Sequence, residues 1–321
     1  MHDQPSRGPS VAIVGAGSIG VSWAITFIIS GFFVRLHDTS KKRLAVAREE
    51  ITERLADLKF YSLVDEPPEQ VLARLSTETN LEAAVSGAEH IQECIPEILT
   101  QKREIFSKLA NVAPRNVIIA SSSSFMPASK FANNVKHYER CLVIHPGNPP
   151  YLLRIVEIVP ASFTSQSTIN QSTALMERLG LEAVIVRKEV DGFVFNRLQG
   201  ALLSEAYALV EDGVASSDEI DAVVRDGLGL RWSVIGPFET VDLNTRGGIS
   251  AHAQKMGPAY KRIAASRGIN LSWPEQLVSK VTSERRANLP LEQWPERVHW
   301  RDRMLMGLVA ARQKVTRNSK I

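Results

Sequence analysis

A histidine and a glutamate lie twelve residues apart in a stretch that is otherwise rich in strand formers and proline. His145 ends the run CLVIH, and Glu157 is the one acid in RIVEIV. An ionised carboxylate that leaves water needs a partner, because burying it alone is costly. A carboxylate bound to one imidazole nitrogen selects the tautomer and raises the basicity of the other nitrogen. His145 and Glu157 are therefore predicted to form the general base of an alcohol oxidation.

Two adjacent strands are needed to bring these side chains together. CLVIH and RIVEIV both have strand composition, and the proline-rich turn between them is expected to fix how His145 projects. In RIVEIV the acid alternates with Val156 and Ile158, so its side chain faces the opposite side of the sheet from theirs. An alternative is that His145 is a strand-end residue near solvent and that Glu157 pairs with Arg154.

A glycine loop near the start of the chain predicts a dinucleotide site. GAGSIG follows the strand-like run VAIV and precedes a helix, and Asp38 ends the second strand 23 residues after Gly15. The loop would place a pyrophosphate at a helix N-terminus, where N–H groups and the helix dipole favour an anion. The predicted cofactor-binding residues of this segment are Gly15, Gly17, Ser18, Ile19, Gly20 and Asp38.

The acid at the end of the second strand decides which dinucleotide is expected. Asp38 would accept hydrogen bonds from both adenosine ribose hydroxyls, whereas a 2′-phosphate would face its carboxylate. NAD is therefore the predicted cofactor. Lys41, Lys42 and Arg43 follow closely, and pairing of one of them with a 2′-phosphate leaves NADP as the alternative.

Two further polar groups are placed where a substrate would lie. IIASSSSF ends a predicted strand with four serines, and ligands of open α/β sheets bind at the carboxyl ends of strands. Ser124 is predicted to bind the reacting oxygen. Asn196, in DGFVFNR, is expected to face the same cleft. Taken singly, these residues are equally consistent with a helix cap and a surface amide.

The order of predicted elements indicates the fold class. Strand and helix signals alternate as far as EAVIVR, which predicts a mostly parallel, doubly wound α/β sheet of Rossmann type over residues 1–190. From 191 to 321 we find helical signals alone, which predicts an all-helical second domain. Ser216 precedes Glu219 at capping-box spacing within this second part.

Composition narrows the functional classes. The chain has 321 residues, 44% hydrophobic and 23% charged, and its net charge is +3 with dispersed basic residues. That pattern speaks against a nucleic-acid partner. The apolar stretches are too short for a bilayer, and MHDQPSRGPS does not look like a signal peptide. The two cysteines, Cys94 and Cys141, are expected to be buried thiols, and a cytoplasmic location without membrane partner is predicted. No metal site is predicted.

Together these motifs resemble the 3-hydroxyacyl-CoA dehydrogenase family over nearly the whole chain. The similar segments are GAGSIG, ECIPEILTQK, ASSSS, HPGNPP, VEIV and GFVFNR. The resemblance implies a helical domain like the C-terminal domain of 6-phosphogluconate dehydrogenase, which mediates homodimer formation. It also implies a role for six residues: His145 as base, Glu157 as its partner, Ser124 and Asn196 at the substrate oxygen, and Glu97 and Lys102 beside the cofactor.

Within the family, HPGNPPYLLRIVEIVP and GLGLRWSVIGPFETVDLN are most similar to members that oxidise a free sugar acid, which implies L-gulonate as the first substrate to test. Trp232 and Gly147 depart from that pattern, and both are expected near the substrate site, with Trp232 as a substrate-binding residue. Asp65 and Glu66 replace the lysine-rich arm that binds CoA, which favours a small L-3-hydroxy acid. Arg231 is expected to clamp its carboxylate or, alternatively, to lie at an interface. A thioester substrate and a non-catalytic structural role are the competing hypotheses.

Overall fold

The computed structural model describes residues 9–268 and 274–294 and, nearer the C terminus, residues 296–297, 300, 304, 307–308, 311 and 314. The chain forms two compact units, which divide after Leu203. The domain boundary predicted from the sequence, near residue 190, lies closer to the N terminus than this division. Most of MHDQPSRGPS and several parts of the predicted helical domain lie outside the described residues.

The larger unit contains one sheet of eight strands in the order β3-β2-β1-β4-β5-β6-β7-β8. Neighbouring strands are parallel except β6 and β7, which are antiparallel. The strands are β1 Ser10–Val14, β2 Phe33–His37, β3 Leu75–Glu78, β4 His90–Glu93, β5 Ile118–Ser121, β6 Cys141–Pro146, β7 Ile155–Pro160 and β8 Glu182–Ile185. The predicted doubly wound α/β sheet is confirmed.

Helices alternate with these strands in the first unit, and the described residues of the second unit form helices without strands. They are α1 Ser18–Ile29, α2 Lys41–Phe60, α3 Pro68–Leu72, α4 Leu81–Val85, α5 Leu99–Val112, α6 Gln166–Arg178, α7 Phe195–Glu211, α8 Ser217–Ala222, α9 Gly229–Trp232, α10 Pro237–Asn244, α11 Gly248–Ser266 and α12 Glu275–Asn288. A π-helical turn, Val223–Leu228, joins α8 to α9. The capping box of Ser216 and Glu219 starts α8, as predicted.

Apolar side chains cover both faces of the sheet. One core contains Trp23 and Phe27 of α1, and the other contains Phe106 of α5 and Phe131. Both faces are dry because parallel strands are covered by helices on each side. Cys94 and Cys141 lie in these cores as free thiols, and burial raises the pKa of each to about 12.

Strand β3 was not predicted from the sequence. Its residues Ser76, Thr77 and Glu78 are exposed or half-buried at the edge of the sheet, so LSTE lacks the apolar signal of a strand. In the smaller unit, Ile235, Leu243 and Leu289 form a separate buried cluster. None of the helices within the described ranges is both long and apolar enough to cross a membrane.

Candidate active site

His145 and Glu157 lie directly opposite each other in the antiparallel β6–β7 ladder. The Nδ1 atom of His145 is 2.7 Å from Oε2 of Glu157, and their side chains are 7% and 5% exposed. Because an ionised carboxylate only accepts hydrogen bonds, Nδ1 carries a proton, and in the neutral ring Nε2 then carries the lone pair. The ring thus presents a basic nitrogen on the side away from Glu157.

The second oxygen of Glu157 binds the start of helix α7. Its Oε1 accepts hydrogen bonds from the backbone amides of Val194, at 2.6 Å, and Phe195, at 3.0 Å. A carboxylate at this end of a helix is also favoured by the helix dipole. Burial alone would raise the pKa of Glu157, but the bonds from His145 and these two amides hold that pKa below its usual value. Glu157 therefore stays ionised and orients the imidazole.

The alternative partner of Glu157 is wrong. Arg154 donates to the carbonyl of Leu179 at 3.3 Å instead. The partners of Glu157 from α7 were not predicted, because they are backbone groups 37 and 38 residues away in the chain. A turn with left-handed backbone at Gly192 and Phe193 brings them to the carboxylate.

Lowering the pH is expected to remove the stability that ionised Glu157 contributes. Its folded-state pKa lies below that of an unfolded chain, about 4.3, so the contribution is present above that pH and lost as the pH falls through the folded-state value. Glu157→Gln should therefore melt below the unmutated protein near neutral pH, and the gap should shrink below about pH 4. Thermal unfolding followed by circular dichroism measures this gap, and a gap of constant size would contradict the prediction.

Ser124 and Asn196 are brought together by the fold. The side-chain amide of Asn196 donates to the carbonyl oxygen of Ser124 at 2.8 Å. Glu97 holds the segment that carries Ser124, because its carboxylate accepts the amides of Phe125 at 2.9 Å and Met126 at 2.8 Å and also the Ser123 hydroxyl. Burial alone would raise the pKa of Glu97, but these bonds lower it. Glu97 thus shapes the turn of residues 122–126, called the serine turn below. Its predicted role beside the cofactor remains a prediction.

Lys102 lies in a buried ion pair that the sequence did not predict. Its Nζ is 2.8 Å and 2.9 Å from the two carboxylate oxygens of Glu93 and 3.2 Å from Oγ of Ser121. The side chains of Lys102 and Glu93 are 1% and 0% exposed. The pair joins α5 to the carboxyl ends of β4 and β5. A role of Lys102 beside the cofactor remains a prediction.

The glycine loop has the geometry that a dinucleotide requires. Gly15 has φ +108°, and a Cβ there would lie 2.8 Å from the Cys94 backbone. At Gly20 a Cβ would lie 1.9 Å from the carbonyl oxygen of Gly15, so that position also requires glycine. A Cβ on Gly17 would point into open space, and no side chain caps the helix that starts at Ser18. The first amides of α1 and the space before them suit a pyrophosphate.

Asp38 borders a pocket of about 310 Å³ that also includes Gly15 and His37. Its carboxylate is held by the amide of Ala16 at 3.1 Å and that of Ser40 at 2.9 Å. The guanidinium of Arg43 is engaged elsewhere, with the Ala16 carbonyl at 2.6 Å and with both carboxylate oxygens of Glu50. These contacts favour a ribose hydroxyl over a 2′-phosphate beside Asp38.

Asp38→Ala is expected to weaken NADH binding roughly 10- to 100-fold, because hydrogen bonds to a charged group are lost. The preference for NADH over NADPH should narrow in parallel, since the repulsion of a 2′-phosphate is also removed. Fluorescence titration of both nucleotides measures the two effects. Preference of the unmutated protein for NADPH would contradict the assignment.

Arg231 and Trp232 belong to the smaller unit. Arg231 is half-buried in α9, and its Nε atom is buried without a hydrogen-bond partner among the described residues. Trp232 is 38% exposed. Their predicted roles in substrate binding remain predictions. In the described part of the chain, no group of three His, Cys, Asp or Glu side chains is placed to hold a metal ion.

Comparison with known proteins decides the family. Residues 10–190 match the family model of the 3-hydroxyacyl-CoA dehydrogenase NAD-binding domain, and residues 192–280 match that of its C-terminal domain. The chain belongs to the 3-hydroxyacyl-CoA dehydrogenase family. The predicted cofactor, NAD, is confirmed by the first of these matches.

Relatives with several different names cover almost the whole chain. Lambda-crystallin of Oryctolagus cuniculus is 39% identical over 97% of this chain and 98% of its own length. L-carnitine dehydrogenase of a Pseudomonas species is 34% identical over 94% of this chain and 92% of its own. The crystal structure of a 3-hydroxyacyl-CoA dehydrogenase from Archaeoglobus fulgidus aligns with a TM-score of 0.72 at 26% identity, covering 94% of this chain and 99% of that one. The chain is thus a dehydrogenase of this family that acts on a CH–OH group with NAD.

Proposed function

We propose that this dehydrogenase oxidises the C3 hydroxyl of a small, free L-3-hydroxy acid, with L-gulonate as the first substrate to test. The observation that carries the proposal is the bond of 2.7 Å between His145 and Glu157, which leaves Nε2 of His145 as a base. This pair lies at the carboxyl side of the sheet, as do the serine turn and Asn196. NAD supplies the hydride acceptor when it is bound.

Each residue of this constellation has a distinct task in the proposed reaction. Nε2 of His145 accepts the hydroxyl proton as the alcohol becomes a ketone. Ionised Glu157 stabilises the imidazolium that results and keeps the ring in the productive orientation. The Ser124 hydroxyl and the Asn196 side chain bind the reacting oxygen. His145 and Glu157 are buried, and Ser124 and Asn196 are half-buried, so water is limited and these electrostatic interactions are strengthened.

The charged side chains of the arm between α2 and β3, residues 61–74, support a free acid over a CoA thioester as the substrate. Its Arg74 pairs with Glu66 through two hydrogen bonds, and Lys59 donates to the carbonyl of Asp65. Lys59 lies near the end of α2, and Arg74 also donates to the carbonyl of Ile28 at 2.9 Å. Both cations are therefore engaged by groups of the protein, while the carboxylates of the arm would repel CoA phosphates. The similarity to an L-carnitine dehydrogenase agrees with this, since L-carnitine is a free 3-hydroxy acid.

Two other functions compete with the proposal. A thioester substrate is favoured by the similarity to 3-hydroxyacyl-CoA dehydrogenases. A non-catalytic, crystallin-like role is suggested by the relatives named lambda-crystallin. Retention of the complete His145–Glu157 pair, together with the glycine loop and Asp38, favours catalysis over a purely structural role.

The test is NADH formation by the purified protein with NAD and a substrate panel. The panel contains L-gulonate, L-3-hydroxybutyrate, L-carnitine and L-3-hydroxybutyryl-CoA, and the quantity compared is kcat/KM. A free acid far ahead of the thioester is the expected result. Preference for the thioester would overturn the free-acid assignment, and absence of turnover with all four would overturn the proposed activity on them.

A homodimer in the cytoplasm completes the proposal. Helix α7 has no buried residue, and three apolar side chains on one of its faces are exposed, Leu203 at 46%, Tyr207 at 75% and Val210 at 43%. An apolar helix face of this kind is suited to cover by a second copy. Sedimentation velocity of the full chain is expected to show a dimer, and Tyr207→Glu should weaken the association of the two copies.

The proposed cytoplasmic location is supported by Cys94 and Cys141. Both are buried free thiols, which agree with a reducing compartment.

A further inference from the structure

A buried amide connects the two segments that carry the reacting groups. Gln92 of β4 is fully buried. Its Nε2 donates to Oγ of Ser122 at 2.8 Å and to the carbonyl oxygen of Ile144 at 3.3 Å. Ser122 begins the turn that leads to Ser124, and Ile144 immediately precedes His145. The same amide group thus binds both the serine turn and strand β6, the two segments that carry Ser124 and His145.

The Ile144 carbonyl needs this partner because of where the neighbouring strand ends. Strand β5 pairs with β6 only as far as Ser121, which lies opposite Val143. Beyond that point the chain of β5 turns away, and the Ser122 amide binds the carbonyl of Glu93 on β4. Gln92 reaches across the gap from β4 and replaces the missing ladder bond. Its side chain therefore sets how far β6 can move from the serine turn.

The surrounding hydrogen bonds allow one orientation of the amide. Oγ of Ser122 also accepts from Nε1 of Trp23 at 3.0 Å, so both of its lone pairs are used and its hydrogen points to Sγ of Cys94 at 3.3 Å. Oε1 of Gln92 receives Nε2–H of His90 at 3.0 Å. Burial lowers the pKa of His90 to about 4, so this histidine is neutral near pH 7. A reversed amide would place its oxygen 3.3 Å from the carbonyl oxygen of Ile144, where neither atom carries a hydrogen, and is disfavoured.

We propose that Gln92 is a positioning residue that sets the spacing between the base His145 and the serine turn. This inference rests on the proposed function. The side chain of Gln92 is fully buried beside Trp23 of α1, so it is not exposed to a ligand. Its effect is exerted through Ile144, which is adjacent to His145 in β6, and through Ser122, which lies two residues before Ser124. A small displacement of either segment would misalign the base and the oxygen-binding groups.

Gln92→Met keeps the length of the side chain and removes both donated bonds. We expect kcat to fall roughly 10- to 100-fold, the loss that a displacement of about 1 Å produces. The Kd of NADH should stay unchanged, because the glycine loop is not involved. Histidine-labelled protein gives a second readout, since the imidazole resonances of His145, assigned with His145→Gln, should shift.

His90→Phe is the matched control. It removes a buried member of the same network that binds only the oxygen of Gln92, while the Ser122 and Ile144 bonds remain. The melting temperature should fall, whereas kcat and the His145 resonances should stay close to those of the unmutated protein. Equal losses of kcat in both variants, in proportion to their melting temperatures, would overturn the inference, as would full kcat in Gln92→Met.

Ser122→Ala covers the case in which Gln92→Met does not fold. It removes one of the two bridges with a small change in volume, and a smaller loss of kcat at unchanged NADH affinity is expected. Unchanged kcat and unchanged His145 resonances in this variant would overturn the inference. If the unmutated protein turns over no substrate of the panel, the proposed function fails, and the His145 resonances of the variants still decide the role of Gln92.

Discussion

His145→Gln is expected to lower kcat by roughly two to four orders of magnitude, the usual contribution of a positioned general base. Glutamine keeps a polar side chain of similar size but cannot accept and hold the hydroxyl proton. The ring is buried against Phe193 and bonded to Glu157, and neither contact involves the glycine loop. The Kd of NADH should therefore remain nearly unchanged. Steady-state kinetics with the best substrate of the panel and NADH fluorescence titration measure the two quantities.

The control for this variant is His137→Gln. His137 is an exposed histidine, 37% accessible at its side chain, with a weak pairing to Glu139 outside the site. Its replacement should leave kcat unchanged. If His145→Gln lost NADH affinity as strongly as kcat, the residue would be structural and the assignment of the base would be wrong. Retention of most of kcat in His145→Gln would have the same meaning.

Lys102→Met is expected to lower the free energy of unfolding by roughly 3–5 kcal/mol, because it leaves the carboxylate of Glu93 buried without its counter-ion. Glu93 would retain the Ser121 hydroxyl at 2.6 Å and the Ile95 amide at 2.7 Å, which cannot replace a positive charge. The pair itself contributes less than this loss, since both ions also had to be desolvated. Thermal and denaturant unfolding of the full chain measure the change.

Lys108→Met provides a matched control on the same helix. Its pair with Glu104 is exposed, with side chains 59% and 66% accessible, so little change in stability is expected. The double variant Lys102→Met with Glu93→Gln should recover part of the loss, because no uncompensated buried charge remains. Equal effects of Lys102→Met and Lys108→Met would contradict a buried ion pair.

Much of the proposed site could be predicted because its residues act through local patterns. The glycine loop and Asp38 stand at a spacing set by one strand, one helix and the next strand, and the structure has those elements. His145 and Glu157 were expected on adjacent strands, and the structure places them directly opposite each other in the β6–β7 ladder. Strand β3 was missed because an exposed edge strand has little hydrophobic periodicity.

By itself, the sequence determined the doubly wound sheet and the dinucleotide loop, since each follows from periodicity, turn residues or short spacing. The pairing of His145 with Glu157 was predicted beside the alternative of Arg154, and the tertiary structure decided between the two. The tertiary structure alone decided what supports them: Glu157 at the start of α7, Glu97 beneath the serine turn, and Gln92 between Ser122 and Ile144. Those contacts join residues 26 to 52 positions apart. No local propensity encodes which buried donor meets which acceptor at such separations. That choice is made only when the core closes and every buried polar group must find a partner.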